Sequence, residues 1–230
     1  GGSVAIYSYS RPEFVVAMYG TLAAGMAPVP MNFRYRATEL RQLLVNSDSR
    51  VLIYPRSLTG IVREAFEGLP QSPVLIELDD AADADAIPGA TPYATIITHP
   101  GSLPEVPPPG GELRLYTGGT TGDPRAVLWQ AEHLLEGKLF SIYTLAGVEP
   151  PATVAGAVAI ATDPATPRVI TLPLAPFIHG TALFTSLNTL VLGGSIVIHS
   201  SPRFDPTEAL RLIATYGVTR LVVAGDAVAL

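Results

Sequence analysis

From Val4 onward, short apolar runs of strand length alternate with segments of helical period, and that order constrains the fold more than any other feature of the chain. Val4 to Tyr9 predicts a strand, and Pro12 to Ala24 a helix, with Pro12 suited to its first turn and Gly25 to its stop. Ala27 to Met31 predicts a second strand, Thr38 caps a helix through Asn46, and Arg50 to Tyr54 predicts a third strand. A helix near Ile61 to Gly68 and a strand from Val74 to Leu78 follow. The expectation is an α/β fold of layered β-sheets with flanking helices.

The same alternation resumes later, so three segments are expected: a first α/β unit over 1–78, an irregular connection over 79–111, and a second α/β unit over 112–230. The connection is rich in Ala, Asp, Gly and Pro and culminates in Pro107-Pro108-Pro109-Gly110-Gly111. In the last segment, Glu132 to Leu145 predicts a helix, and Val148 to Ala161 is ambiguous. Val169 to Leu172, Ser195 to His199 and Arg220 to Val223 predict strands, separated by helices over Thr181 to Leu192 and Pro206 to Tyr216. No short repeat is present, which argues against a solenoid.

Between two further strand candidates, Leu113 to Tyr116 and Ala126 to Trp129, lies Thr117-Gly118-Gly119-Thr120-Thr121-Gly122-Asp123-Pro124-Arg125. Glycines let backbone amides approach an anion, threonine hydroxyls add donors, and Arg125 supplies positive charge. The combination suits a phosphate grip. It is not the P-loop of NTPases, because no Gly-Lys-Ser/Thr closes it and no helix follows directly. A hairpin whose glycines serve only the turn is the bland alternative.

The 230 residues, 48% of them hydrophobic, suffice for a substantial core. A formal charge of −6 argues against a nucleic-acid groove or an anionic membrane as the main partner. With no cysteine there is no disulfide framework, thiolate metal site or thiol nucleophile, and a cytoplasmic location fits best. The longest apolar runs are too short or interrupted by Asn188 and Gly193-Gly194, so no membrane span is expected. His99, His133 and His199 lack acidic neighbours at ligand spacing, and no metal site is assigned. Asp79, Asp80, Asp83 and Asp85 suit a solvated acidic linker. Both ends of the sequence look cut.

The order of residues from Tyr116 to Val127 resembles the ATP-binding signature of the adenylate-forming superfamily, Tyr-Thr-Ser/Gly-Gly-Thr-Thr-Gly-x-Pro-Lys-Gly-Val. Two positions depart from it: the signature's lysine is Arg125 and its next glycine is Ala126. Val4 to Tyr54 and Ile196 to Asp226 are similar to the flanking regions of acyl-CoA ligases. Leu115-Tyr116-Thr117-Gly118-Gly119 and Gly225-Asp226-Ala227 resemble a subset of actinobacterial fatty-acid or steroid-side-chain ligases.

The resemblance implies part of the amino-terminal domain of an enzyme that activates a carboxylic acid with Mg-ATP and transfers it to CoA. It implies that Thr117, Gly118, Gly119, Thr120, Thr121, Gly122, Pro124 and Arg125 hold the nucleotide phosphates. Pro173 to Gly180 is similar to the family's segment of proline, aromatic and histidine, which makes Phe177 and His179 acyl-site candidates, with His179 the catalytic one. ATP, Mg²⁺ and CoA are the implied cofactors and co-substrates, with a homo-oligomer left open. The isolated chain is expected to show little or no ligase activity, and a noncatalytic nucleotide-binding module is the alternative.

Overall fold

A computed structural model describes residues 2–102, 111–117 and 124–223. The chain divides into two compact units, Gly1–Ala131 and Glu132–Leu230, each with the expected alternation of strands and helices.

The first unit runs β1 (Ser3–Tyr7), α1 (Pro12–Ala23), β2 (Ala27–Met31), α2 (Ala37–Asn46), β3 (Ser49–Pro55), a 3₁₀ turn (Arg56–Leu58), α3 (Thr59–Phe66) and β4 (Val74–Leu78). Its sheet has the parallel order β2-β1-β3-β4, extended by a fifth strand. Every residue of β1 and β2 is buried, as parallel strands covered on both faces require. Ala5 and Tyr7 share one face with Val29, Met31, Leu52 and Tyr54, and these pack on Leu40, Leu43 and Leu44 of α2 and Val62 and Ala65 of α3. Burial holds the Tyr7 phenol protonated well above its ordinary range, and its Oη donates to the Tyr35 carbonyl at 2.6 Å. Gly25, at φ +70°, ends α1 where the sequence places the stop.

Two expectations are corrected here. Thr38 does not cap α2; Arg36 is the N-cap residue, and the Glu39 carboxylate accepts from the Arg36 amide at 2.9 Å. Glu39 stands at the third helical position, where a carboxylate reaches back to that amide. The connection over 79–111 is not wholly irregular: β5 (Thr91–Pro92) adds the fifth strand beside β4, and α4 (Tyr93–Ile97) follows. Proline is tolerated there because an edge strand has no outer partner to bond.

The unit closes with an antiparallel hairpin, β6 (Glu112–Thr117) and β7 (Arg125–Gln130). It is the expected strand-loop-strand arrangement.

The second unit runs α5 (Ala131–Leu134), a π-helical turn (Leu135–Leu139), α6 (Ser141–Ala146), α7 (Val154–Thr162), β8 (Ile170–Pro173), α8 (Gly180–Val191), β9 (Ser195–Ile196), α9 (Pro206–Tyr216) and β10 (Arg220–Val222). The helix expected over 132–145 is therefore interrupted by one wide turn, in which the Phe140 amide donates to the Leu135 carbonyl at 2.9 Å. The ambiguous stretch resolves as α7, whose N-cap Thr153 accepts from the Gly156 amide at 3.1 Å. Asp205 caps α9 through the Thr207 and Glu208 amides, and Gly217 ends it at φ +60°. The strands form a parallel sheet of order β10-β8-β9.

Candidate functional site

Among the predicted phosphate residues, the hairpin places the Thr117 backbone, Pro124 and Arg125. Leu113 and Leu115, at 0% and 8% exposure, are buried on one face of β6. The ladder runs from Glu112↔Gln130 to Thr117↔Arg125, so Thr117 and Arg125 form its final pair at the mouth of the loop. Arg125 is exposed and Pro124, just outside the strand, is half-buried. Ala126 sits within β7 opposite Tyr116, a strand position at which a Cβ is ordinary. Gly118, Gly119, Thr120, Thr121 and Gly122 lie outside the described residues, as does the Thr117 side chain. The structure thus brings Thr117 and Arg125 together through the backbone.

The acyl-site candidates occupy a different place, in the second unit. Residues 174–179 leave the carboxyl end of β8, which has β9 on one side and β10 on the other. A strand order that reverses in this way opens a crevice at the strand ends where α/β proteins take ligands. His179 is the N-cap residue of α8, with its carbonyl accepting from the Leu183 amide at 3.0 Å and no side-chain cap bond. It is exposed, whereas Phe177 is buried at 1% exposure. The two side chains therefore differ in what they can offer: an accessible imidazole at a helix start, and a ring that supports the turn from within. A groove of roughly 340 Å³ in this unit, lined by residues including Ile170, Ile196 and Leu212, includes neither.

A polar network that sequence reasoning missed lies in the first unit at the carboxyl ends of β1, β3 and β4. Arg11 donates to Glu13 through Nε at 3.1 Å and Nη2 at 2.8 Å, to the Asp79 carbonyl at 2.8 Å and to Tyr9 Oη at 3.3 Å. Tyr9 Oη donates to Asp80 at 3.1 Å, and Asp80 also accepts from the Ser57 amide at 3.1 Å. Arg56 pairs with Glu77 at 2.9 Å, and Glu77 is only 4% exposed. Asp79 and Asp80 are thus tied into the fold and are not purely a solvated linker. The available signal was their position directly after β4, at the carboxyl edge of a parallel sheet. Among the described residues, no three acidic, cysteine or histidine side chains gather to hold a metal ion, and no helix is long and apolar enough to cross a membrane.

Two expected results follow from this network. Arg56→Ala removes the guanidinium partner of the buried Glu77 carboxylate, leaving the Tyr54 hydroxyl bond, and lowers the urea midpoint; Glu77→Gln, which removes the charge but keeps an acceptor, lowers it less. The Arg11 hydrogen bonds hold the Glu13 carboxyl below its ordinary value, against the opposing effect of burial. A lowered carboxyl value stabilises the fold above the ordinary 4.5, and that contribution is lost as pH falls below it. Glu13→Gln should therefore flatten the loss of stability on acidification, read from thermal midpoints across pH. An unchanged profile would contradict that role.

The AMP-binding enzyme family model matches residues 1–229. The medium-chain acyl-CoA ligase Mig of Mycobacterium avium is 33% identical over 229 residues, covering 97% of this chain and 41% of that protein. A medium/long-chain-fatty-acid and 3-oxocholest-4-en-26-oate CoA ligase of Mycolicibacterium smegmatis is 31% identical, covering 98% of this chain and 41% of that protein. The chain therefore spans 41% of the length of these two relatives. Among solved structures, the N-terminal domain of FACL13 from Mycobacterium tuberculosis superposes with a TM-score of 0.65 at 21% identity, over 95% of this chain and 48% of that one. That likeness concerns the fold.

Proposed function

The chain belongs to the AMP-binding enzyme family, and from that membership we propose that it supplies the phosphate-gripping part, with a segment of the acyl site, of an ATP-dependent acyl-CoA ligase. The observation that carries the reading is the hairpin whose final ladder pair, Thr117 and Arg125, brackets the glycine- and threonine-rich loop. In such a ligase the substrate carboxylate attacks the α-phosphorus of ATP, the bond to the bridging oxygen breaks, and pyrophosphate leaves with that electron pair. The CoA thiolate then attacks the acyl carbonyl and AMP departs.

The contribution of this chain to the first step is electrostatic. Negative charge accumulates on the β- and γ-phosphates as the bond breaks, and a donor already in place meets it without reorganisation. Arg125 is that donor, with a planar head able to take two phosphate oxygens at once. The amides and hydroxyls of Gly118, Gly119, Thr120, Thr121 and Gly122, with the Thr117 hydroxyl and with Pro124 stiffening the exit, complete the grip. His179 is assigned to the carboxylate end of the acyl pocket and Phe177 to its support. Mg²⁺ would accompany the nucleotide phosphates, and no step is assigned to it.

Isothermal titration of Mg-ATP into the folded chain tests the proposal. The expected result is a saturable heat that excess pyrophosphate abolishes. No heat from a chain whose circular dichroism shows the α/β fold would overturn it.

A further inference from the structure

The face of β6 opposite Leu113 and Leu115 carries Glu112, Arg114 and Tyr116, spaced by two as neighbours on one side of a strand. All three engage in polar contacts. Tyr116 Oη donates to Asn46 Oδ1 at 2.6 Å, and Arg114 Nη1 donates to the Ser47 carbonyl at 3.1 Å. Glu112 fixes the Arg114 guanidinium from the side, with 2.6 Å contacts to both Nε and Nη2. Asn46 and Ser47 are the last residue and the C-cap of α2, and Ser47 is itself held by its Oγ donating to the Leu43 carbonyl at 2.6 Å. The Tyr116 ring packs against the core cluster that includes Leu40, Leu43 and Leu44.

We propose that Tyr116 with Asn46, supported by Arg114 with Ser47, latches the hairpin to the end of α2 and so positions Arg125 for polyphosphate. The proposal rests on the nucleotide-binding reading above. A ribbon of two strands is marginal alone and takes its orientation from what anchors it. Here the buried leucines hold one face, while the polar contacts fix the other near the mouth. Tyr116 pairs with Ala126, and the next pair is Thr117 with Arg125. A swing of Tyr116 away from Asn46 therefore reaches Arg125 within one step of the ladder. Tyr116 and Asn46 are positioning residues, acting through Arg125.

Mg-ATP affinity is measured by titration for the wild-type chain, Tyr116→Phe, Asn46→Ala, the double variant, Asn46→Asp and Arg125→Ala, with thermal midpoints alongside. Tyr116→Phe and Asn46→Ala are each expected to weaken binding about five-fold, the loss of one good hydrogen bond. The double variant should bind no more weakly than either single one, because both remove the same bond. Asn46→Asp keeps an acceptor and should retain affinity. A purely structural role would instead move the midpoints of both single variants and leave Mg-ATP affinity unchanged, which would overturn the latch. Arg125-dependent binding that Tyr116→Phe and Asn46→Ala leave unchanged overturns the latch alone. Absence of Arg125-dependent binding in the wild type overturns the latch together with the reading on which it rests.

Discussion

Arg125→Ala should weaken Mg-ATP binding about 10- to 100-fold while leaving the fold intact. A hydrogen bond to a charged group contributes about 1.5–3 kcal/mol, and about 1.4 kcal/mol corresponds to a factor of ten in affinity. The residue is exposed at the first position of β7, in the last pair of the ladder, beyond the pairs made by the buried Leu113 and Leu115. The thermal midpoint should accordingly move little. Arg125→Lys restores the residue of the family signature. It keeps the charge, loses the two-pronged contact, and is expected to recover most of the affinity with a residual few-fold difference. Titration of the three proteins under one salt condition checks this ordering. Equal affinity of all three would mean that the hairpin mouth is not where the phosphates bind.

The largest loss of stability is expected from Gly193→Ala. Gly193 follows α8 at φ +84°, where an L side chain is strained. A Cβ built there would stand 2.5 Å from the Ala161 carbonyl oxygen and 2.8 Å from the Ala161 Cα. Both are backbone atoms of α7, so relief requires a helix to move and not a side chain to rotate. Backbone strain and forced repacking together are expected to cost about 3 kcal/mol or more. Denaturant unfolding followed by circular dichroism checks the prediction. A shift below about 1 kcal/mol would show that α7 yields easily in the second unit.

Much of the fold was legible because its signals were local. Alternating apolar runs located β1 to β4, Gly25 marked the end of α1, and Pro206 with Tyr216 bracketed α9 to the residue. The sequence was less informative where tertiary pairing decided the outcome. Thr91–Pro92 has no strand signature of its own and becomes β5 only beside β4. Likewise, the wide turn at Leu135–Leu139 shifts the helix phase by one residue, which an averaged periodicity does not register. At the candidate site, the motif order proposes Thr117 and Arg125 as phosphate contacts, and the fold pairs their backbones at the end of the hairpin ladder. Asn46 was invisible as a partner of Tyr116, since 70 residues separate them and neither belongs to a common local pattern.

The most direct measurement is ³¹P NMR of Mg-ATP titrated with the wild-type chain and with Arg125→Ala. The account predicts that the β- and γ-phosphorus resonances shift or broaden on binding to the wild type and stay near their free positions with the variant at the same concentrations. Perturbation of those resonances that is identical in both proteins, or none at all with the folded wild type, would contradict the assignment of the Thr117–Arg125 hairpin as a polyphosphate grip.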